Sequence, residues 1–235
     1  MSEASDSKGT NQTGLKTRIK NLNNQFERGG FPPGSIVGVR GSSDVPTRLL
    51  ALNLMGKRTS HLITFNAYLG ELESQLSQVN QDKTTVRHIR QEDKDIKEVF
   101  SSSLNTLPQS PANLVIDTVN DLEREYLRGD RDIDDQIDDY SALLSDLKSW
   151  AYESGSLVFL RVVDDTDTDI RWRSLDACDI ILDLGVSDIQ GGDVVEEELT
   201  ITKSHPRMNL DGDRKLKIGI DTLMEVSAGE TFSVS

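Results

Sequence analysis

Apolar positions in this chain come in short runs broken by polar and glycine-rich turns, and one stretch keeps a helical period through several turns. That stretch is 133–153, where Ile133, Ile137, Tyr140, Leu144, Leu147 and Trp150 share a face, aspartates crowd the start and Gly155 follows the end. The short runs at 36–39, 61–65, 85–89, 113–117, 157–163 and 180–184 predict strands. Residues 198–203 alternate apolar and polar, and 215–220 and 223–226 predict the last strands. Between these lie a short helix within 15–26, where Leu15, Ile19, Leu22 and Phe26 have helical spacing, and helices over 69–79 and 96–104, the last ended by Pro108 and Pro111. Helices alternate with strands for two-thirds of the chain, then strands dominate. The pattern implies an α/β fold, a mostly parallel central sheet with helices on both faces and an antiparallel extension at one edge. Residues 1–14 are small and polar and read as a disordered arm, which leaves 15–235 as a single domain.

A phosphate-binding loop belongs between the 36–39 strand and the apolar run 49–55. A working loop reads G-x-x-x-x-G-K-[ST]. Here the first glycine survives as Gly41, followed by Ser42 and Ser43, but the second glycine is Pro46, the lysine is Thr47 and the magnesium-binding hydroxyl is Arg48. Such loops work because successive backbone N–H groups and a helix N-terminus point at phosphate while a lysine adds charge. Pro46 has no N–H to donate, although it suits the first turn of a helix. Asp44 puts a negative charge where a triphosphate would sit, and Arg48 can meet a phosphate but cannot ligate Mg²⁺.

Three features resemble the RecA/RadA/KaiC-like branch of P-loop ATPases. They are Gly29-Gly30-Phe31-Pro32-Pro33-Gly34-Ser35 before the first strand, the apolar run ending in Asp117, and the late block 179–207. The resemblance covers about residues 20–226. It implies a RecA-like fold and makes Asp117 the Walker B acid that holds Mg²⁺ through water. It also makes Lys203 the lysine of a K-x-R element that reaches a neighbouring subunit's nucleotide. Departures accompany it. The acid that activates water is replaced by Asn66 or Ala67, and the arginine of K-x-R by His205, with Arg207 close by.

Charge narrows the setting. The 235 residues carry 26 basic and 40 acidic side chains, a net charge of −14, and 35% of them are hydrophobic. Asp outnumbers Glu by 26 to 14. Such a balance keeps a chain soluble by self-repulsion and suits a cytoplasm of very high salt, where the Debye length falls to about 3 Å. A lone cysteine, Cys178, sits in an apolar run as a small core residue. His61, His88 and His205 show no metal-ligand spacing, and the 164–169 run lacks the glycine and glutamate of a Ca²⁺ loop. Arg171-Trp172-Arg173 could stack on single-stranded nucleic acid, but an acidic run precedes it, and the triplet equally suits a protein interface.

The expectation drawn from these residues is a catalytically inactive homologue, needing no cofactor, that acts as a regulatory or scaffolding subunit. It would self-associate or pair with an intact paralogue through Lys203, His205 and Arg207. The alternative is a divergent ATPase using ATP and Mg²⁺, or a recombination mediator, in DNA repair or signalling.

Overall fold

The structure, a computed structural model, describes residues 14–26, 29–42, 44–65, 70, 72, 74–76, 83–90, 95–164, 173–190, 193–203 and 215–218. Side chains at 186–190, 193–197 and 215–218 are outside that description. The strands are β1 (Ile36–Gly41), β2 (Ser60–Thr64), β3 (Thr84–His88), β4 (Asn113–Asp117), β5 (Leu157–Val163), β6 (Ile180–Gln190), β7 (Asp193–Lys203) and β8 (Lys215–Ile218). They form one sheet in the order β3-β2-β4-β5-β1-β6-β7-β8. Pairings from β3 through to β6 are parallel, and β7 and β8 add antiparallel at the edge. The architecture is the one the alternation of elements implied.

The central strands are buried on both faces, and alternate residues feed two cores. Val37 and Val39 of β1, Val115 of β4 and Phe159 of β5 face α2 (Asp44–Leu54), whose Leu49, Leu50 and Leu52 pack on them. Ile36, Leu114, Ile116, Val158 and Leu160 face the other way. They meet Phe100 of α3 (Ile96–Asn105), Leu122 of α4 (Val119–Tyr126) and Tyr140 and Leu147 of α5 (Ile133–Ser154).

Three expectations change. The short helix expected within 15–26 is α1 (Lys20–Asn23), and Leu15 and Phe26, expected on its face, lie outside it. Leu15 instead bridges Phe31 through paired backbone bonds of 2.8 and 2.9 Å. Asn23 bonds back to the Thr17 backbone at 2.8 and 3.0 Å, a side-chain alternative to a longer helix. The bridge accounts for Gly30, where a Cβ would lie 2.7 Å from the Leu15 carbonyl carbon; Gly29, at φ +65°, and Gly34, at φ +83°, take backbone conformations that favour glycine, and Ser35 Oγ donates to the Pro32 carbonyl at 2.7 Å. Ile133 is 54% exposed in the first turn of α5, and Gln136 occupies the inward position instead. Its amide donates to the Arg131 carbonyl at 3.0 Å. Strands β6 and β7 run beyond 180–184 and 198–203 because their added residues, largely polar and acidic, carry no apolar-run signal.

Other elements hold closely. Gly155 ends α5 in the left-handed conformation at φ 64° and ψ 31°. The short helices α4 and α6 (Arg173–Ala177) had no sequence expectation. The expected 1–14 arm lies outside the described residues apart from Gly14, most of the 69–79 helix does too, and all of the 223–226 strand does.

Candidate functional site

In open α/β sheets, ligands bind beyond the carboxyl ends of the strands, where connections diverge to the two sides. Here β1 leads through α2 toward β2, while β5 leads through α6 past β1 to β6. Gly41 and the start of α2 lie at that point. Gly41 ends β1 under α2, so close that a Cβ there would sit 2.6 Å from Thr47 Cγ2 and 2.7 Å from the Leu184 carbonyl. Helix α2 begins at Asp44 and has buried Pro46 in its first turn, as its ring allows.

Period-two alternation does the rest. Asp117 ends β4 on the α2 face, and Arg161 lies directly across from it on β5, with the two Cα atoms in register. The Arg161 guanidinium engages Asp117 Oδ1 through both Nε and Nη2. Its Nη1 reaches Asp44 Oδ1 at 2.9 Å, the Asp44 carbonyl at 3.3 Å and Thr47 Oγ1 at 3.3 Å. Arg48, one turn along α2 from Asp44, completes the group. Its Nη2 contacts Asp44 Oδ2 at 2.5 Å, and its Nε lies 3.3 Å from Asp117 Oδ2. Side-chain exposure is 2% for Arg48, 1% for Arg161 and 1% for Asp117, against 51% for Asp44. Two guanidiniums and two carboxylates therefore sit beneath the loop, neutral as a set, with Asp44 at the mouth.

Those contacts test whether Mg²⁺ and a triphosphate suit the residues present. Mg²⁺ needs oxygen ligands at about 2.0–2.1 Å in near-octahedral array. Asp117, the acid to which the resemblance assigns Mg²⁺, has an arginine nitrogen against each of its oxygens. Thr47 is fully buried, with its hydroxyl bonded to the Asp44 carbonyl at 3.1 Å. A terminal phosphate would meet the Asp44 carboxylate and no N–H from Pro46. The described residues do not make a magnesium–triphosphate site.

The surroundings fasten this arrangement. Asn120 of α4 clamps the end of β5, donating to the Val163 carbonyl at 2.9 Å and accepting from its N–H at 3.0 Å. On the rim, Arg40 makes a two-point pair with Asp183 at 2.5 and 2.8 Å.

The other predicted residues lie elsewhere. Exposed Lys203 donates to the Asp176 carbonyl at 2.9 Å, within its own chain at the far end of β7. Arg173 is exposed at the start of α6. Its N–H donates 2.9 Å to Glu123 Oε1, and Glu123 Oε2 takes the Ser174 N–H and hydroxyl at 3.3 and 2.6 Å. Tyr140 bonds the Ser174 hydroxyl at 2.6 Å, and burial raises its pKa. Ser42 is exposed at the loop. Ser43, Asn66, Ala67, Arg171, Trp172, His205 and Arg207 are outside the described residues, as is the 165–169 run. Cys178 is buried, its thiol pushed up to about 12 by desolvation. Among the described residues no set of three or more His, Cys, Asp or Glu is placed to hold a metal, and no helix is long and apolar enough to cross a membrane.

Arg161 is the site residue that sequence reasoning missed. Its signal was present: a single arginine inside the apolar strand Leu157–Val163. A buried strand carries such a charge only with a partner waiting.

Comparison with known proteins agrees with the fold. The family described as "Family of unknown function (DUF7125)" matches residues 14–229. The chain belongs to that family. Among solved structures, this DUF7125 member is similar to a KaiC-like protein from the hyperthermophilic archaeon Pyrococcus horikoshii OT3. The TM-score is 0.61 at 17% identity, over 88% of this chain and 94% of that one. The DUF7125 chain thus has a RecA/KaiC-like fold. No curated protein matches its sequence.

Proposed function

We propose that this protein is a non-hydrolysing KaiC-like subunit that works by association, as a regulator or scaffold for copies of itself or for a relative with an intact loop. The observation that carries this reading is the set of buried Arg48, Asp117 and Arg161 with Asp44 at the mouth, which fills the ligand end of the sheet with its own charges. A subunit that has lost its metal ligand and phosphate cradle cannot stabilise the transition state of phosphoryl transfer, which depends on positioning and on cations at the phosphates. What remains available to it is surface, and Lys203 with the 204–207 segment is the stretch the family resemblance assigns to a neighbour. The acidic composition points to a setting of molar KCl and argues against unaided binding of nucleic acid.

Light scattering and sedimentation in molar KCl, alone and with a purified loop-intact KaiC-like relative, test the proposal. Concentration-dependent self-association, or a complex with that relative weakened by Lys203→Ala, supports it. A strict monomer that binds no such relative overturns it, and magnesium-dependent ATP turnover abolished by Asp117→Ala would restore the ATPase alternative.

A further inference from the structure

We infer that Asp44 is a tethered anion: its carboxylate engages the Arg48–Arg161 guanidinium pair in place of an external phosphate-class oxyanion, so the chain holds a latent oxyanion site closed by its own residue. The inference rests on the self-filled reading of the site and adds which residue plays the ligand. Asp44 spreads its two oxygens over two different cations, Oδ1 to Arg161 at 2.9 Å and Oδ2 to Arg48 at 2.5 Å. That is how an oxyanion bridges forked guanidinium donors. The remaining acid, Asp117, lies beneath and is 1% exposed, whereas Asp44 stands at the mouth with 51% of its side chain exposed. Two arginines that are 98% or more buried are therefore reached from solvent at the position Asp44 occupies.

Charge arithmetic gives the consequence. With Asp44 in place the set balances, two cations against two anions. Without its charge, these four positions carry two guanidiniums and one carboxylate, and each arginine loses one of its carboxylate contacts. The donors freed are Arg48 Nη2 and Arg161 Nη1, both at the first turn of α2, and Thr47 Oγ1 lies 3.3 Å from the latter. A small multivalent oxyanion would restore the balance.

Thermal unfolding of wild type, Asp44→Ala and Asp44→Asn, with and without inorganic pyrophosphate and with no magnesium, tests this. Pyrophosphate should raise the variants' midpoints saturably by about 3 °C or more, while wild type moves by less than about 1 °C. Adding Arg161→Met to Asp44→Ala should abolish the response. An equal response in wild type and variants, or folded variants that ignore pyrophosphate, overturns the inference. If neither variant folds, refolding in pyrophosphate decides: recovery supports it and continued failure overturns it. A wild type that ignores ATP beside variants that ignore pyrophosphate sinks this inference alone; a wild type that binds magnesium–ATP sinks the parent reading as well.

Discussion

Two carboxylates in this molecule are equally buried and are held in opposite ways. Asp117 and Glu123 are each 1% exposed, on opposite faces of the sheet. Asp117 lies on the α2 side between two guanidiniums. Glu123 lies on the α4 side and accepts two backbone N–H groups and a hydroxyl at the start of α6. Hydrogen bonds from dipoles secure a carboxylate as part of the frame, and they fix α6 against α4. Charge pairing at the carboxyl ends of the strands does something else. On the function proposed here, it replaces what an incoming cation and anion would supply at the carboxyl ends of the strands.

The largest expected effect comes from breaking the charged side of this pair. Arg161→Met leaves Asp117 with a single cation, and loss of one member of a buried ion pair costs about 3–5 kcal/mol, read from the urea midpoint. The double variant Arg161→Met with Asp117→Leu should recover most of that loss, since a packed apolar pair is a fair substitute for a buried ionic one. If the double variant is as damaged as the single, Asp117 and Arg161 are not coupled. Glu123→Gln keeps shape and loses an acceptor, for about 1–3 kcal/mol by the same measurement. A loss equal to that of Arg161→Met would erase the contrast between the two sites.

Smaller is Tyr140→Phe, at about 0.5–1.5 kcal/mol, because Ser174 keeps its bond to Glu123. The alkaline limb sharpens the same side. Desolvation raises the Cys178 thiol from 9.0 to about 12 and raises Tyr140 above its ordinary 10.0. A raised folded pKa means the native state holds its proton longer, so the stability is whole below the unfolded pKa and falls as pH climbs past it. The thermal midpoint should therefore decline from about pH 9 upward, and Cys178→Ala should remove the earliest part of the decline. A flat profile to pH 11 would contradict this burial.

Most of the frame was legible because it is written in local pattern. The 133–153 period, Gly155 and the run at 113–117 each declare an element without reference to the rest of the chain. The helical spacing of Leu15 misled because Thr17 and Asn23 satisfy the backbone through side chains, a choice settled only once Leu15 has met Phe31. At the site, the departures from the loop pattern at Pro46, Thr47 and Arg48 were plain, and the contacts around them were not. Arg161 is 44 residues from Asp117 and 117 from Asp44, so only strand register brings the three together. A lone arginine in an apolar strand signals a partner; which partner is a matter of topology.

The central claim is that this chain's own charges occupy the place of metal and triphosphate. Calorimetric titration of the wild-type protein with magnesium–ATP in molar KCl tests it most directly. No saturable heat should appear up to about 1 mM nucleotide. A single-site isotherm in the micromolar range, lost in Asp117→Asn, would contradict it.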